Sequence, residues 1–384
     1  MRSIRLAMGL GAAFALAGCA TSEYYSQAVA GHLEIMHLAK PIPERIADPA
    51  TPRALREKLE RVQEMRDFAS RELGLPDNGS YRSYADIGRP YAVWNVFVAP
   101  EFSVTARQSC FPVAGCVNYR GYYAQAEADR YGNKRRAQGD DVFVGGVPAY
   151  STLGWFDDPV LSTFIRYPDA ELARLLFHEL AHQEVYVKDD TVFNESFAVA
   201  VEREGVRRWL ARHGTPADRA AYDTLQERKE RFVALVLRYR ARLEALYREP
   251  LPDAEKRAAK ARIIAEMKVD YGELKASWGG YAGYDRFFAQ DLGNAHFASI
   301  ATYTQLVPAF EALLARENNN LPRFYADVKA LAALPKSERD AKLGNSAPSR
   351  SSGMADPGRV LQSVPRMRSA PLKSISRTAV DAFS

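Results

Sequence analysis

A short segment, His178-Glu179-Leu180-Ala181-His182, limits the possible folds more than any other part of the chain. It lies in residues 169–187, where leucines recur at the spacing of an amphipathic helix: Leu172, Leu175, Leu176 and Leu180. Histidines four positions apart share one helix face, with Cβ atoms about 6 Å apart, so both can bind one Zn²⁺. The rest of the fold must therefore bring a further ligand to this face.

A catalytic zinc site has three protein ligands and one position open to water. The best candidate for the third ligand is Glu195, and twelve residues lie between it and His182. We predict that Glu195 lies near the start of a second helix, at about 194–211, packed antiparallel to the first. Glu179 would lie beside the metal, where it can take a proton from activated water and return it to a leaving amine. Glu179 is the predicted general base.

Other interpretations of these residues stay open. Asp189 or Asp190 would serve as the third ligand, although both fall in the predicted turn between the helices. The histidines would also fit a surface helix on which they pair with neighbouring glutamates. The metzincin class is excluded, because it requires glycine at 185 and histidine at 188, where this chain has Val185 and Lys188.

Peptide hydrolysis also needs a hydrogen-bond donor for the oxyanion of the tetrahedral intermediate. The candidates are Tyr281, Tyr284, His296 and Tyr303. We favour His296 and Tyr303, which are seven positions apart and share a face of the helix predicted at 295–314. Glu202 lies seven residues after Glu195 and would support one of the zinc-binding histidines. Packing roles for the aromatic residues, and a solvated Glu202, are equally open.

The first twenty residues indicate secretion rather than a core helix. Arg2 and Arg5 precede an apolar run at 6–16, which is too short to span a bilayer, and then Leu16-Ala17-Gly18-Cys19. The last four residues resemble a bacterial lipobox, which implies a lipid on Cys19. An ordinary cleaved signal with a chance cysteine is the alternative. We predict a lipoprotein signal peptide at 1–18.

Five residues separate the other two cysteines, Cys110 and Cys116. Disulfides persist in the oxidising compartment to which secretion leads, so we predict a structural disulfide that closes a short loop. A catalytic or metal-binding thiol pair is the alternative, which no third cysteine or nearby histidine supports.

The positive charge lies outside the body of the chain. The formal net charge is +5, but Arg2 and Arg5 fall in the signal and residues 345–384 carry a net +4, which leaves −1 for residues 20–344. The body lacks the basic surface that a nucleic-acid partner requires. Residues 345–384 are rich in Ser, Pro and Arg without apolar periodicity, so we predict a disordered tail.

The remaining pattern predicts a single α+β domain at 19–344 that is mainly helical. Helical periodicity covers 20–75 and most of the chain after 194. Charge-rich segments at 226–247 and 253–277 predict a long solvated helical hairpin.

Residues 80–147 contain short β-rich runs, which predict a small sheet packed on the helix that carries the two histidines. The segment 148–155 has the composition of a further strand. We interpret it either as an edge strand that a bound peptide could extend, or as an ordinary sheet strand.

A resemblance to a known family adds to these predictions. The segment Phe193-Asn194-Glu195-Ser196-Phe197-Ala198 is similar to the Asn-Glu-Gly-Phe-Ala segment of gluzincin aminopeptidases, whose glutamate binds zinc. With the lipobox, the 110–116 segment and Gly293-Asn294-Ala295-His296, the chain resembles over residues 16–340 a family of proteobacterial aminopeptidase lipoproteins. It departs from well-studied gluzincins in a shorter stretch between the second histidine and the glutamate, and in having no Gly-x-Met-x-Asn motif to bind the substrate's amino end.

The resemblance implies a gluzincin-like core with Zn²⁺ on His178, His182 and Glu195. We therefore expect zinc-dependent hydrolysis of peptides, by an aminopeptidase in the periplasm. A lipid on Cys19 would attach it to the periplasmic side of the outer membrane. The alternatives are an amidase that acts on cell-wall peptides with the same zinc site, and a non-catalytic envelope lipoprotein with a docking role for the helical hairpin.

Overall fold

The computed structural model describes residues 23–111 and 115–346. The predicted signal peptide at 1–18, the lipidation site Cys19 and the predicted tail from 347 onward lie outside these residues. Among the described helices, none is both long and apolar enough to cross a bilayer. The last of them ends at Ser346, just past the predicted boundary at 344.

The described residues are 62% helical with a few small sheets, which confirms the predicted mainly helical α+β class. In the described residues the helices are α1 (23–38), α2 (Ile42–Ala47), α3 (Arg53–Leu73), α4 (Gln125–Arg136), α5 (Asp169–Glu184), α6 (Thr191–His213), α7 (Pro216–Arg248), α8 (Asp253–Ser277), α9 (Asp285–Phe288), α10 (Asn294–Thr304), α11 (Val307–Arg316), α12 (Leu321–Ala332) and α13 (Lys336–Ser346). Prolines immediately precede α3, α5 and α8, where their fixed φ and missing N–H mark the helix start.

The described strands are short, and they form three small sheets. They are β1 (Lys40–Pro41), β2 (Ser83–Ala85), β3 (Val93–Pro100), β4 (Ser109–Phe111), β5 (Gly115–Val117), β6 (Arg120–Tyr122), β7 (Asp140–Val147) and β8 (Val160–Leu161). Their orders are β1-β2-β8, β6-β3-β7 and β4-β5. Residues of β2 and β8 share the main hydrophobic core with α5.

The antiparallel sheet β6-β3-β7 packs between two helices. Side chains of a strand alternate between its faces, so Trp94, Val96 and Val98 of β3 pack towards α4 on one side. On the other side, Phe97 and Ala99 pack with Ala295 of α10. The sheet thereby holds the face of α10 that also carries Tyr303, which packs against this same cluster.

The turn between α5 and α6 lies three residues earlier in the chain than predicted. Helix α5 ends at Glu184 rather than at 187, and α6 begins at Thr191 rather than near 194. The Asn194 side chain closes the turn, because it accepts from the Val187 N–H at 2.7 Å and donates to the Val187 carbonyl at 2.8 Å. Asp190 caps α6 by accepting from the Phe193 N–H. Helices α5 and α6 therefore pack against each other immediately on either side of the turn.

Close approach of α3, α5 and α6 depends on Gly205. A Cβ atom at this position would lie 2.7 Å from the Phe177 ring and 2.9 Å from the Leu73 side chain, both shorter than real contacts. Phe177 and Leu73 are fully buried. Glycine at 205 is therefore required for α6 to pack on α5 at this distance.

The predicted strand at 148–155 is wrong. Beyond Val147 the chain leaves the sheet and forms an irregular loop. The loop turns through Leu153 and Gly154, both with positive φ, and Thr152 hydrogen-bonds through its N–H and hydroxyl to Asp158 at 2.7 and 3.0 Å. These local bonds hold the segment as a loop rather than as a strand.

Helices α7 and α8 form the predicted long hairpin. They pack on a second core that includes Phe232, Tyr239 and Met267, and α9 closes this core with Phe287 and Phe288. Ion pairs such as Arg242 with Glu266 cover the outer faces. The hairpin is thus solvated on one side only, and residues of α7 face the interior of the molecule.

Candidate metal centre

The structure brings three of the predicted site residues together. His178 and His182 lie one turn apart on α5, and Glu195 lies in the second turn of α6. The Glu195 Oε2 atom is 3.3 Å from His178 Nε2 and 3.6 Å from His182 Nε2. One ligand atom from each residue lies within 4.8 Å of the other two.

This donor set fits zinc in type and in spacing. Catalytic zinc sites use three protein ligands drawn from histidine nitrogen and carboxylate oxygen, at bond lengths of about 2.0–2.2 Å. Tetrahedral geometry at those lengths requires neighbouring ligand atoms roughly 3.3–3.5 Å apart. The two separations that involve Glu195, 3.3 and 3.6 Å, are close to this spacing, and all three ligand atoms lie within 4.8 Å of one another, so one ion can lie between them.

A buried network fixes the orientation of His178. Its Nδ1 donates to Glu202 Oε2 at 2.8 Å, which leaves Nε2 directed at the cluster. Arg174 holds the same Glu202 oxygen at 3.2 Å and Glu171 at 2.7 Å. Glu202 is only 1% exposed. Glu202 therefore lies in the predicted position, where it supports His178.

The electrostatics of the cluster match a site for a cation. Burial alone would raise the pKa of Glu195, but the two histidines outweigh it and lower that pKa to about 2. Burial would likewise lower the pKa of His178, but its hydrogen bonds to Glu195 and Glu202 raise it to about 10. In the metal-free protein these side chains thus favour a bound positive charge between them, which a proton on His178 can supply.

Glu179 faces the cavity beside the cluster and is not one of its three members. Burial raises its pKa above the usual value, and the charge of Glu195 raises it further, while the histidines act in the opposite direction. A carboxylate whose pKa is raised towards neutrality is well matched to proton transfer. Its position and its basicity both suit the predicted general base.

Two tyrosines lie near the cluster. Tyr303 faces the cavity and hydrogen-bonds with the Asn95 side chain. Burial raises its pKa far above the usual value, and the charges of Glu195 and Glu179 add to this. Tyr119, between β5 and β6, responds to the same two glutamates. Both hydroxyl groups therefore stay protonated and can donate a hydrogen bond at this site.

His296 does not reach the cluster, contrary to the prediction. Its Nδ1 accepts from the Gly293 N–H at 3.1 Å at the start of α10, and its ring packs on Phe143 at 4.5 Å between centroids. It is buried outside the cavity, and burial lowers its pKa to about 4. Seven residues of helix rise about 10 Å, so His296 and Tyr303 share a face but lie at opposite ends of α10.

The remaining candidate residues have structural roles. Tyr281 and Tyr284 belong to the second core, where Tyr284 stacks on Phe232 at 4.1 Å. Asp190 forms a buried ion pair with Arg339 at 2.7 Å in addition to capping α6. Asp189 accepts from the Cys116 N–H at 2.6 Å.

A disulfide joins Cys110 and Cys116 across the β4-β5 hairpin. The same hairpin reaches the turn between α5 and α6 through the Asp189 contact with the Cys116 N–H. Gly115 lies in this contact with φ of +74°, and a Cβ there would approach Asp189 Oδ1 to 2.4 Å. The cysteines therefore support the turn that precedes Glu195.

The cluster opens into a cavity of about 960 Å³. Its walls include α5 and α6, α7 from Lys229 to Leu237, Tyr303 on α10, and α1 through Tyr24, Tyr25 and His32. The cavity is large enough for several residues of a peptide.

Sequence reasoning missed several residues of this site. Tyr119 and Asn95 come from the sheet region, and Asp158 comes from the irregular loop. Asp158 is 1% exposed, and burial raises its pKa to about 7, with a contribution from the charge of Glu179. No motif marks any of the three, because they approach α5 only through the tertiary fold.

Comparison with known proteins identifies a family for this chain. A family model described as "Putative aminopeptidase" matches residues 23–343. No curated protein and no solved structure matches the chain with significance. The family match covers most of the chain, including all three residues of the cluster and Glu179. The chain therefore belongs to this aminopeptidase family and is assigned to the peptidases.

Proposed function

We propose that this protein is a zinc-dependent aminopeptidase of the bacterial periplasm. The observation that carries the proposal is the convergence of His178, His182 and Glu195, whose ligand atoms lie within 4.8 Å of one another at one wall of a large cavity. Two histidines and a glutamate are the protein ligands of a well-known class of catalytic zinc sites. Membership of an aminopeptidase family supports a peptide as the substrate.

Zinc, when bound, would supply a Lewis acid that acidifies water and polarises a peptide carbonyl. Glu179 would accept the proton of the attacking water and deliver it to the leaving amine. Tyr303 would donate its hydroxyl hydrogen to the developing oxyanion, and Asn95 would hold its ring in place. Glu202 would keep His178 in the tautomer that directs Nε2 at the ion.

The location is part of the same proposal. A lipid on Cys19 would attach the protein to the periplasmic face of the outer membrane, and α1 would begin a few residues after the anchor. The lipid on Cys19 is detectable as a mass increase of the mature protein and by partition into detergent. Cys19→Ala should abolish both, while leaving the activity of the soluble domain intact.

The first test combines metal content with peptide cleavage. We expect about one zinc per chain in the wild type, and a severe loss in His182→Ala and Glu195→Ala. Glu179→Gln should keep its zinc but lose at least about a hundredfold in kcat, because only the general base is removed. The matched control is His37→Ala, an exposed histidine of α1 that should change neither value.

Peptides with free and blocked amino ends complete this test. Cleavage of free-ended peptides alone is the aminopeptidase result. Cleavage of both kinds would keep zinc peptidase activity but reject the exopeptidase part. A wild type that binds no zinc, or whose zinc survives both ligand substitutions, would reject the metal site and favour the docking interpretation.

A further inference from the structure

We propose that the aromatic part of the cavity binds a bulky apolar side chain of the peptide substrate, beside the bond that is cleaved. We call this part the aromatic arm and define it by Tyr24, Tyr25, Tyr123, Tyr150 and Phe156, all of which line the cavity. The proposal rests on the proposed peptidase function and names the substrate class of the same site.

The arm is built from three separate parts of the chain. Tyr24 and Tyr25 come from α1, Tyr123 follows β6, and Tyr150 and Phe156 come from the irregular loop after β7. These segments have little in common except that they converge on the cavity. Rings that meet from distant segments form a concave apolar surface of the kind that receives a ligand side chain.

Ring contacts and one hydrogen bond hold the walls of the arm in place. Tyr123 and Tyr150 meet edge to face at 5.6 Å between centroids, and Phe156 packs against His32 at 4.5 Å. His32 Nδ1 and the Tyr150 hydroxyl are 3.0 Å apart. A pocket with fixed walls selects side chains by shape, because the protein need not reorganise on binding.

Charge is segregated within the cavity. Every Asp, Glu, Lys or Arg side chain that lines it belongs to α5, α6, α7 or α11, as with Arg174, Glu202, Lys229 and Glu311. The aromatic arm contributes hydroxyl groups and ring faces, but no formal charge. An apolar side chain would therefore lose little on entering the arm, whereas an anionic one would lose its hydration without a partner.

The arm is close to the reacting groups. Gly154, in the same loop as Tyr150 and Phe156, lies against α5, because a Cβ on Gly154 would be 3.5 Å from the side chain of Gln183, the residue after His182. The loop, Glu179 and the histidines line the same cavity. We therefore place the arm next to the bond that is cleaved.

Filling the arm tests the proposal directly. Ala28 lines the cavity one turn after Tyr24 and Tyr25, whereas Ala30 on the same helix is exposed and does not. Ala28→Phe should reduce kcat/KM for peptides with Phe or Leu beside the cleaved bond by at least about tenfold, as expected for a filled apolar pocket. For peptides with Ala at that position, kcat/KM should stay within about threefold of the wild-type value. Ala30→Phe should change neither.

Binding gives a readout that does not require catalysis. Two hexapeptides with free amino ends that differ only in an amino-terminal Phe or Ala would be titrated calorimetrically into zinc-loaded Glu179→Gln protein. We expect the Phe peptide to bind at least about tenfold more tightly. Ala28→Phe in the same background should remove most of that difference, and Ala30→Phe should preserve it.

The outcomes separate the two proposals. Two results would overturn the proposal for the aromatic arm even if the enzyme cleaves peptides. One is equal affinity for the two hexapeptides, and the other is an equal loss of affinity for both in Ala28→Phe. Preferential binding of the Phe peptide without any cleavage by the wild type supports the arm and rejects the peptidase. Zinc content and circular dichroism, equal in all variants, would show that the fold is intact.

Discussion

Two tyrosines near the cluster offer different routes to stabilise an oxyanion. Tyr303 and Tyr119 both respond to Glu195 and Glu179, but Tyr303 comes from α10 and is tied to Asn95, whereas Tyr119 packs on Phe97 of the sheet at 5.5 Å. A donor must be held in place before the charge develops. The bond to Asn95 makes Tyr303 the better placed of the two.

Tyr303→Phe should therefore lower kcat by roughly 10²–10³ with little change in KM, because the lost hydrogen bond forms mainly in the transition state. Tyr119→Phe is the matched control and should lower kcat less than about tenfold. Steady-state kinetics on one free-ended peptide measure both. The reverse order would assign the donor to Tyr119, and equal small effects would remove both from the mechanism.

Asp158 should make the stability of the metal-free protein depend on pH. Burial raises the pKa of this carboxyl from 3.8 to about 7, so between these values it ionises in the unfolded chain but stays protonated in the folded one. Stability is therefore lost as pH rises from about 4 to 7 and stays low above that. Asp158→Asn, which cannot ionise, should be more stable than the wild type at pH 8 by up to about 4 kcal/mol.

Urea unfolding in the presence of a chelator measures this difference, which should close as the pH falls to 4. Asp223→Asn, at an exposed position of α7, is the control and should follow the wild type at every pH. A wild type that remains the more stable of the pair at pH 8 would mean that Asp158 is ionised and satisfied in the folded protein.

At the scale of secondary structure, the site consists of two helices and the turn that joins them. Asn194 and Asp190 determine how α6 starts, and this start places Glu195 opposite His178 and His182. These contacts are local, which is why spacing along the chain was sufficient to predict that the three side chains converge. The exact helix ends were wrong by three residues, because the turn depends on side-chain bonds that periodicity does not reveal.

The support of His178 by α6 can be tested separately from the ligands themselves. Glu202→Gln keeps the shape of the side chain but weakens its hold on His178 and Arg174, so we expect zinc affinity to fall roughly 10–100-fold. Competition with a fluorescent chelator measures this. Glu204→Gln, on the same helix but paired with Arg207 and Arg208, should bind zinc like the wild type. Equal affinity in all three proteins would make Glu202 a purely structural residue.

Across the whole molecule, the cavity depends on segments that are far apart in sequence. The walls come from α1 at one end of the described chain and from α10 and α11 near the other. Sequence patterns predicted the helical class and the α7-α8 hairpin, but neither the aromatic walls nor Asn95 and Asp158. Periodicity indicates which face of an element is buried, but not which distant element covers it. His296 illustrates this limit, since it shares a helix face with Tyr303 as predicted but does not lie near the cluster.

A bound ion would also join elements of the main core. Because the ligands lie on both α5 and α6, zinc at about a thousandfold its Kd should stabilise the fold by roughly 4 kcal/mol. Removing it with a chelator should lower Tm by several degrees in the wild type. Glu195→Ala should show a much smaller decrease. An equal decrease in both proteins would mean that the chelator acts elsewhere.

Gly205 sets a limit on how this protein can be redesigned. A library aimed at new substrates would vary cavity positions such as Ala28 or Val233, whose side chains face open space. Position 205 has no side chain and does not line the cavity, yet any larger residue there would displace α6 from Phe177 and Leu73. The shift would carry Glu195 and Glu202 with it. For an engineer, a position that admits no side chain is thus one that a search for functional groups would never select.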